Sequence, residues 1–283
     1  MHECVPTCVV NLPSGIVFAD IDASDAGEHI FVLRNDLRIH ELAPNGTLLG
    51  MIEDFANLFS DGGTVTSSDV PLLSISDGHI VVADPVTGLL GVYSLTLRRI
   101  SFSQITTISA FSLAAGAGGA QVTLSCRQSG EVFRFDINSG SVMAVQSGEK
   151  HNPPMVCTNG RRTAIIDTST AKIVLKDRGV DKRTVSFWPQ GIAADSFQWP
   201  PTRYVFGIDC VWRDETMLIL QGQGGTVVPS FWRIYSDFDK VESFRLLSNA
   251  SPLRVAAYRG AALLLSKNAA EDYSIQFLPN LLT

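Results

Sequence analysis

Six polar residues recur at one position of a repeated pattern in this 283-residue sequence: Arg34, Asp84, Arg127, Asp167, Gln221 and Ser266. Each ends a short, mostly apolar run, as Ile30-Phe31-Val32-Leu33 precedes Arg34 and Ile80-Val81-Val82-Ala83 precedes Asp84. Arginine alternating with aspartate has two uses once a fold brings the residues together. The charges can neutralise one another in structural ion pairs, or they can hold a small polar ligand through bidentate, charge-assisted hydrogen bonds. Arg34, Asp84, Arg127, Asp167 and Gln221 are therefore binding candidates.

A second set is aromatic. Phe187-Trp188-Pro189-Gln190 and Phe197-Gln198-Trp199-Pro200-Pro201 are followed by Tyr204, so two of the four tryptophans fall in one stretch. Large rigid side chains bind a partner with little loss of entropy, which makes Trp188, Phe197, Trp199 and Tyr204 candidate anchors. The alternative is that these rings fold down onto a neighbouring element and serve packing alone. His151, within Glu149-Lys150-His151-Asn152-Pro153-Pro154, has no visible partner and reads as a surface residue.

Catalytic signatures are thin. There is no Gly-x-Ser-x-Gly elbow, and the cysteines fall within strand-like runs without a histidine nearby in the pattern,. Gly116-Ala117-Gly118-Gly119 sits between two such runs, with no helix after it to receive a phosphate, and reads as a hairpin turn,. The residues assign no catalytic group, metal ligand or cofactor.

The elements that must position these residues are strands. Runs rich in Val, Ile, Leu and Phe recur, separated by Gly, Asp, Asn and Ser, and helical periodicity is confined to Glu53 to Phe59,. Strand, tight polar turn, apolar strand, turn, strand, turn, strand is the repeating unit. Its first strands include Gly15 to Ala23, Leu72-Leu73-Ser74-Ile75, Gly207-Ile208-Asp209-Cys210 and Leu253-Arg254-Val255-Ala256. Six copies average about 47 residues, the size of one four-stranded propeller blade. The sixth copy ends at Thr283 before a fourth strand can form, while Thr7-Cys8-Val9-Val10-Asn11-Leu12 belongs to no copy. The expectation is an all-β, six-bladed β-propeller of four-stranded antiparallel blades, one domain over 1–283. The N-terminal strand would complete the last blade and close the ring.

Segments such as Ile30–Leu42 with Pro44-Asn45-Gly46-Thr47-Leu48-Leu49, and Gly130-Glu131-Val132-Phe133-Arg134-Phe135-Asp136, resemble six-bladed propellers of the NHL and related types. The Gly-His and Trp-Asp signatures of WD40 blades are missing. The resemblance implies the fold and one alternative activity, since some six-bladed propellers are metal-dependent hydrolases or lyases with a cation at the channel mouth. Asp84 and Asp167 would be the ligands here, but the family's ligand motifs do not otherwise match.

In a propeller, the connection between blades and the loop joining the second and third strands share a face. The two long connections, 55–70 and 187–205, then lie together, and long loops on a rigid scaffold favour binding. The expected function is a non-enzymatic module that docks a protein or peptide segment on that face. A formal net charge of −6 argues against a nucleic-acid footprint, and charged residues at 18% fit a large core,. No apolar run approaches the roughly 18 residues of a membrane span. The first twenty residues carry Glu3, Pro6 and Pro13 and do not read as a signal peptide,. The five cysteines form no metal spacing. Cys4 and Cys8, taken as one strand, would stand about 13 Å apart. Buried free thiols favour an intracellular, reducing compartment; the alternative is secretion after removal of a leader, in which case the sequons at Asn45 and Asn249 would matter,.

Overall fold

The computed structural model describes residues 2–24, 28–58, 70–76, 78–116, 120–146, 153–167, 172–177, 180–186, 207–221, 230–235 and 241–282. Two short strands open the chain, β1 (His2–Cys4) and β2 (Cys8–Asn11). Blade one follows as β3 (Phe18–Ala23), β4 (Ile30–Arg34), β5 (Ile39–Leu42) and β6 (Leu48–Ile52), and the helix α1 (Asp54–Leu58) leads away from it. Blade two is β7 (Leu72–Ser76), β8 (His79–Asp84), β9 (Leu89–Ser94) and β10 (Arg99–Ile105). Blade three is β11 (Ala110–Ala115), β12 (Gln121–Cys126), β13 (Val132–Asp136) and β14 (Val142–Gln146). Blade four is β15 (Met155–Thr158), β16 (Arg162–Asp167), β17 (Lys172–Asp177) and β18 (Val180–Ser186). Blade five is β19 (Gly207–Arg213), β20 (Thr216–Gln221), β21 (Ser230–Tyr235) and β22 (Val241–Leu246). Blade six holds β23 (Ser251–Tyr258), β24 (Ala261–Lys267) and β25 (Tyr273–Leu278).

Each blade is an antiparallel meander, and the first strands β3, β7, β11, β15, β19 and β23 stand side by side until β23 returns to β3. The ring is a six-bladed propeller. Strands such as β4, β5, β8 and β9 are buried almost throughout, because neighbouring blades cover both of their faces,. The apolar clusters lie between blades rather than within them. Phe31, Leu33 and Ile39 of blade one, for example, pack on Leu73, Ile75, Ile80 and Val82 of blade two. Phe55 of α1 is fully buried in that same seam. Residue 91 is glycine for this reason: a methyl group there would stand 2.8 Å from the Phe55 ring.

Closure follows the expected route and adds a feature. β2 pairs antiparallel with β25, Val9 opposite Gln276 and Val10 opposite Ile275, so the last blade gains its fourth strand from the N-terminus. Val10 and Leu12 turn into the cluster shared with Phe18, Ile21 and Tyr273, while Val9 faces solvent. Gly46, at φ +84° in the turn after β5, leaves the space that the Val10 side chain occupies,. β1 then runs on to the outer edge of blade five and pairs parallel with β22, His2 opposite Phe244. Cys4 and Cys8 therefore belong to separate strands on different blades, not to one strand. Three residues without apolar alternation gave no hint of this fifth strand.

Candidate functional site

The innermost strands are apolar for packing, yet several carry a polar residue at one level. A β-bulge inserts an extra residue and re-aims the side chain that follows it. Bulges fall between Phe18 and Asp20, Ala110 and Ser112, Gly207 and Asp209, and Pro252 and Arg254. Proline suits the last of these, having no N–H to give the ladder. Asp20, Ser112, Asp209 and Arg254 all line one cavity of about 100 Å³ on the ring axis.

These residues tie blade to blade. Asp20 Oδ2 accepts from Leu73 N at 2.8 Å, and Asp22 Oδ2 from Ile75 N at 2.7 Å. Ala115 N donates to Ser74 Oγ at 2.8 Å, and the Ser76 hydroxyl donates to Gly116 O. Val156 N donates to Ser112 Oγ at 3.1 Å, and the Cys210 thiol donates to Val156 O at 3.4 Å. Val255 N donates to Asp209 Oδ2 at 2.9 Å. Five seams are thus spanned by direct hydrogen bonds from the innermost strands. Between blades six and one the belt rests on an ion pair, Arg254 Nε to Asp20 Oδ1 at 3.7 Å. The Nε itself is buried and makes no hydrogen bond among the described residues.

The electrostatics follow from enclosure. Burial pushes the Asp20 carboxyl up to about 8; nearby Asp209 adds to the rise, and Arg254 and the Leu73 and Ile21 amides oppose it,. Burial also raises Asp209, against Arg254 and the amides of Val255 and Cys210. The Cys210 thiol is held well above its usual range by its hydrogen bond with Cys157, and then by burial. Cys126, Cys157 and Cys210 are free and buried, as expected of packing thiols; Cys4 is half-buried. The Cys8 side chain lies outside the described residues.

The positions singled out in the sequence lie one strand further from the axis than the cavity wall. Arg34 Nη2 bonds Asp36 at 2.6 Å, and Asp36 also takes Arg38 Nη1 at 2.7 Å, whose Nε reaches Glu53 at 3.1 Å. Asp84 is buried and holds its own turn, accepting from Val86 N, Thr87 N and, at 2.6 Å, the Thr87 hydroxyl. Arg127 lies over the Phe111 ring at 5.5 Å, and Phe111 lines the cavity. Asp167 ends β16 opposite Lys172 in the ladder. Gln221 ends β20 opposite Gly207, and its side chain lies outside the described residues, as do Trp188, Phe197, Trp199 and Tyr204. Among the described residues no set of three or more His, Cys, Asp or Glu groups is placed to hold a metal.

The residues that the sequence did not single out are Asp20, Asp209 and Arg254. Their signal was present: a charged residue inside an apolar first strand, at matching places in the repeat, is costly unless it is paired or used. No helix among the described residues is long and apolar enough to cross a membrane.

No protein-family model matches the chain, and no curated protein matches its sequence. Solved structures match its fold. The WD40 repeats of RRP9 superpose with a TM-score of 0.62 at 8% identity, covering 98% of this chain and 99% of that one. Streptogramin B lyase gives 0.61 at 12% identity, covering 96% and 97%. The Pan2 WD40 domain of Neurospora crassa gives 0.62 at 8%, covering 98% and 95%. At these identities the likeness is one of fold.

Proposed function

We propose that the chain is one propeller unit working as a non-enzymatic binding module, which docks a protein or peptide segment on the face of its long connections. The observation that carries this reading is the register. Phe18 pairs with Arg34 and Leu72 with Ala83, so the starts of first strands, the ends of second strands and the inter-blade connections meet on one face. The connections after Ile52 and after Ser186 both leave from it. Val17, Leu58 and Val86, on that face, are solvent-exposed. Beside them run Arg34, Asp36, Arg38 and Glu53, charges suited to fixing the register of a partner,. A propeller with WD40 neighbours fits a protein-binding scaffold. Trp188, Phe197, Trp199 and Tyr204 supply apolar anchors, and Arg34, Arg127, Asp167 and Gln221 the polar surround, while the buried Asp84 holds the turn beside them,.

The test is capture of partners by the purified chain, compared with a Trp188→Ala/Trp199→Ala variant and a deletion of 190–202. The reading expects the double variant to lose captured protein at least tenfold while its melting temperature stays within about 3 °C. Capture that survives the deletion would place the contacts on other surfaces and overturn it. A fall in melting temperature above roughly 10 °C would assign the rings to packing.

A further inference from the structure

Among the described residues, the belt of inter-blade hydrogen bonds gives way to an ion pair between blades six and one, and that seam borders the cavity. Asp209, Arg254 and Asp20 come from consecutive blades, five, six and one, at the same post-bulge level. Each Asp20 and Asp209 oxygen accepts one backbone N–H, at 2.8 to 2.9 Å. A carboxylate oxygen can accept a second bond, so both groups retain acceptor capacity toward the cavity. Arg254 Nη1 is spent on Leu253 O at 3.2 Å, and Nε is left as a buried donor. The cluster has acceptors short of donors and one donor short of an acceptor, within a few ångströms.

Charge points the same way. The titratable groups lining the cavity are Asp20, Asp22, Asp209, Asp214, Arg213, Arg254 and the thiols Cys157 and Cys210. Four carboxyl groups face two guanidiniums, and burial holds Asp20 and Asp209 toward their protonated forms, so a cationic group entering the cavity would be attracted and would favour the ionised carboxylates,. An anionic group alone would satisfy Nε but meet the carboxylates. The other wall includes Phe111, Leu113 and Met155 and is apolar. About 100 Å³ of space accommodates several waters or a molecule of about five to ten non-hydrogen atoms,. At the rim Asp214 is exposed, so the cavity reaches solvent on the face opposite the long connections.

We propose that this cavity binds a small zwitterion of the α-amino acid class. Its ammonium donates to Asp209 and Asp20, its carboxylate accepts from Arg254 Nε, and its side chain lies on the Phe111 and Met155 wall. The ligand completes the belt between blades six and one and so stiffens the ring. The site is independent of the protein-docking face and stands or falls without it.

Isothermal titration calorimetry tests the proposal with glycine, L-alanine, L-leucine and L-phenylalanine, against isobutyrate and propylamine as single-charge controls. At least one amino acid should bind with a Kd of 1 mM or tighter, by order of magnitude, and the controls at least tenfold more weakly. Asp209→Asn and Arg254→Lys should each weaken that binding at least tenfold. The wild-type protein supplies a readout that needs no variant. Burial pushes the Asp20 carboxyl up to about 8, so near pH 7 an arriving ammonium should displace a proton from it,. Titrations in two buffers of different ionisation enthalpy should therefore show release approaching one proton per ligand. Absence of amino-acid binding up to 10 mM, by order of magnitude, overturns the proposal. So does propylamine binding as tightly as any amino acid, or binding with no proton released.

Discussion

Leucine 12 is the residue through which ring closure can be measured. It lies just after β2, is 7% exposed, and packs with Val10 against Phe18, Ile21 and Tyr273, across the junction of the last blade and the first. Its amide donates to Tyr273 O at 3.0 Å, a bond that a side-chain change leaves in place. Leu12→Ala therefore removes apolar contact and little else, at a cost of about 2–5 kcal/mol for a buried leucine. That corresponds to a fall in melting temperature of roughly 5–15 °C for a chain of this size. Val9, on the same strand, is 53% exposed and faces outward, so Val9→Ala should stay within about 0.5 kcal/mol of the parent,. Urea denaturation followed by tryptophan fluorescence compares the three proteins under one condition. Equal stabilities for the two variants would refute closure through β2. Deleting residues 2–12 is the coarser form of the experiment: it bares the edge of β25 and should promote association.

Two further predictions concern packing and protonation. Phe55→Ala empties a fully buried site between blades one and two and should cost about 3–5 kcal/mol in urea denaturation, although α1 itself is short,. For Asp20, burial pushes the folded carboxyl up to about 8, from an ordinary 3.8 in the unfolded chain,. Between those values the folded chain holds a proton that the unfolded chain has released, so stability falls as pH rises from about 4 to 8. Asp20→Asn should flatten that slope, as read from urea midpoints at pH 5, 6, 7 and 8; an unchanged slope would remove Asp20 as its source.

The strands were legible because apolar runs such as Ile80-Val81-Val82-Ala83 are bounded by turn residues, and because the repeat recurs at blade length. Closure was legible from an orphan strand at one end and a missing strand at the other. α1 was foreshadowed by the helical spacing of Glu53 to Phe59, but its burial in a seam was not, since that depends on the space at Gly91. β1 was not legible. Its three residues carry no pattern, and its parallel partner β22 lies some 240 positions away. The cavity wall escaped for another reason. The ends of the second strands form a conspicuous column of polar residues, whereas Asp20, Asp209 and Arg254 owe their common level to bulges that propensity does not reveal. Turn chemistry also absorbed one candidate: Asp84, followed by Pro85, Val86 and Thr87, is the hydrogen-bonding centre of a turn.

Hydrogen–deuterium exchange of the chain, alone and with a captured protein partner, tests the docking account most directly. The account predicts slowed exchange in 53–58, 84–88 and 187–206. Protection confined instead to the outer strands β6 and β14, or to the turns of the opposite face, would contradict it.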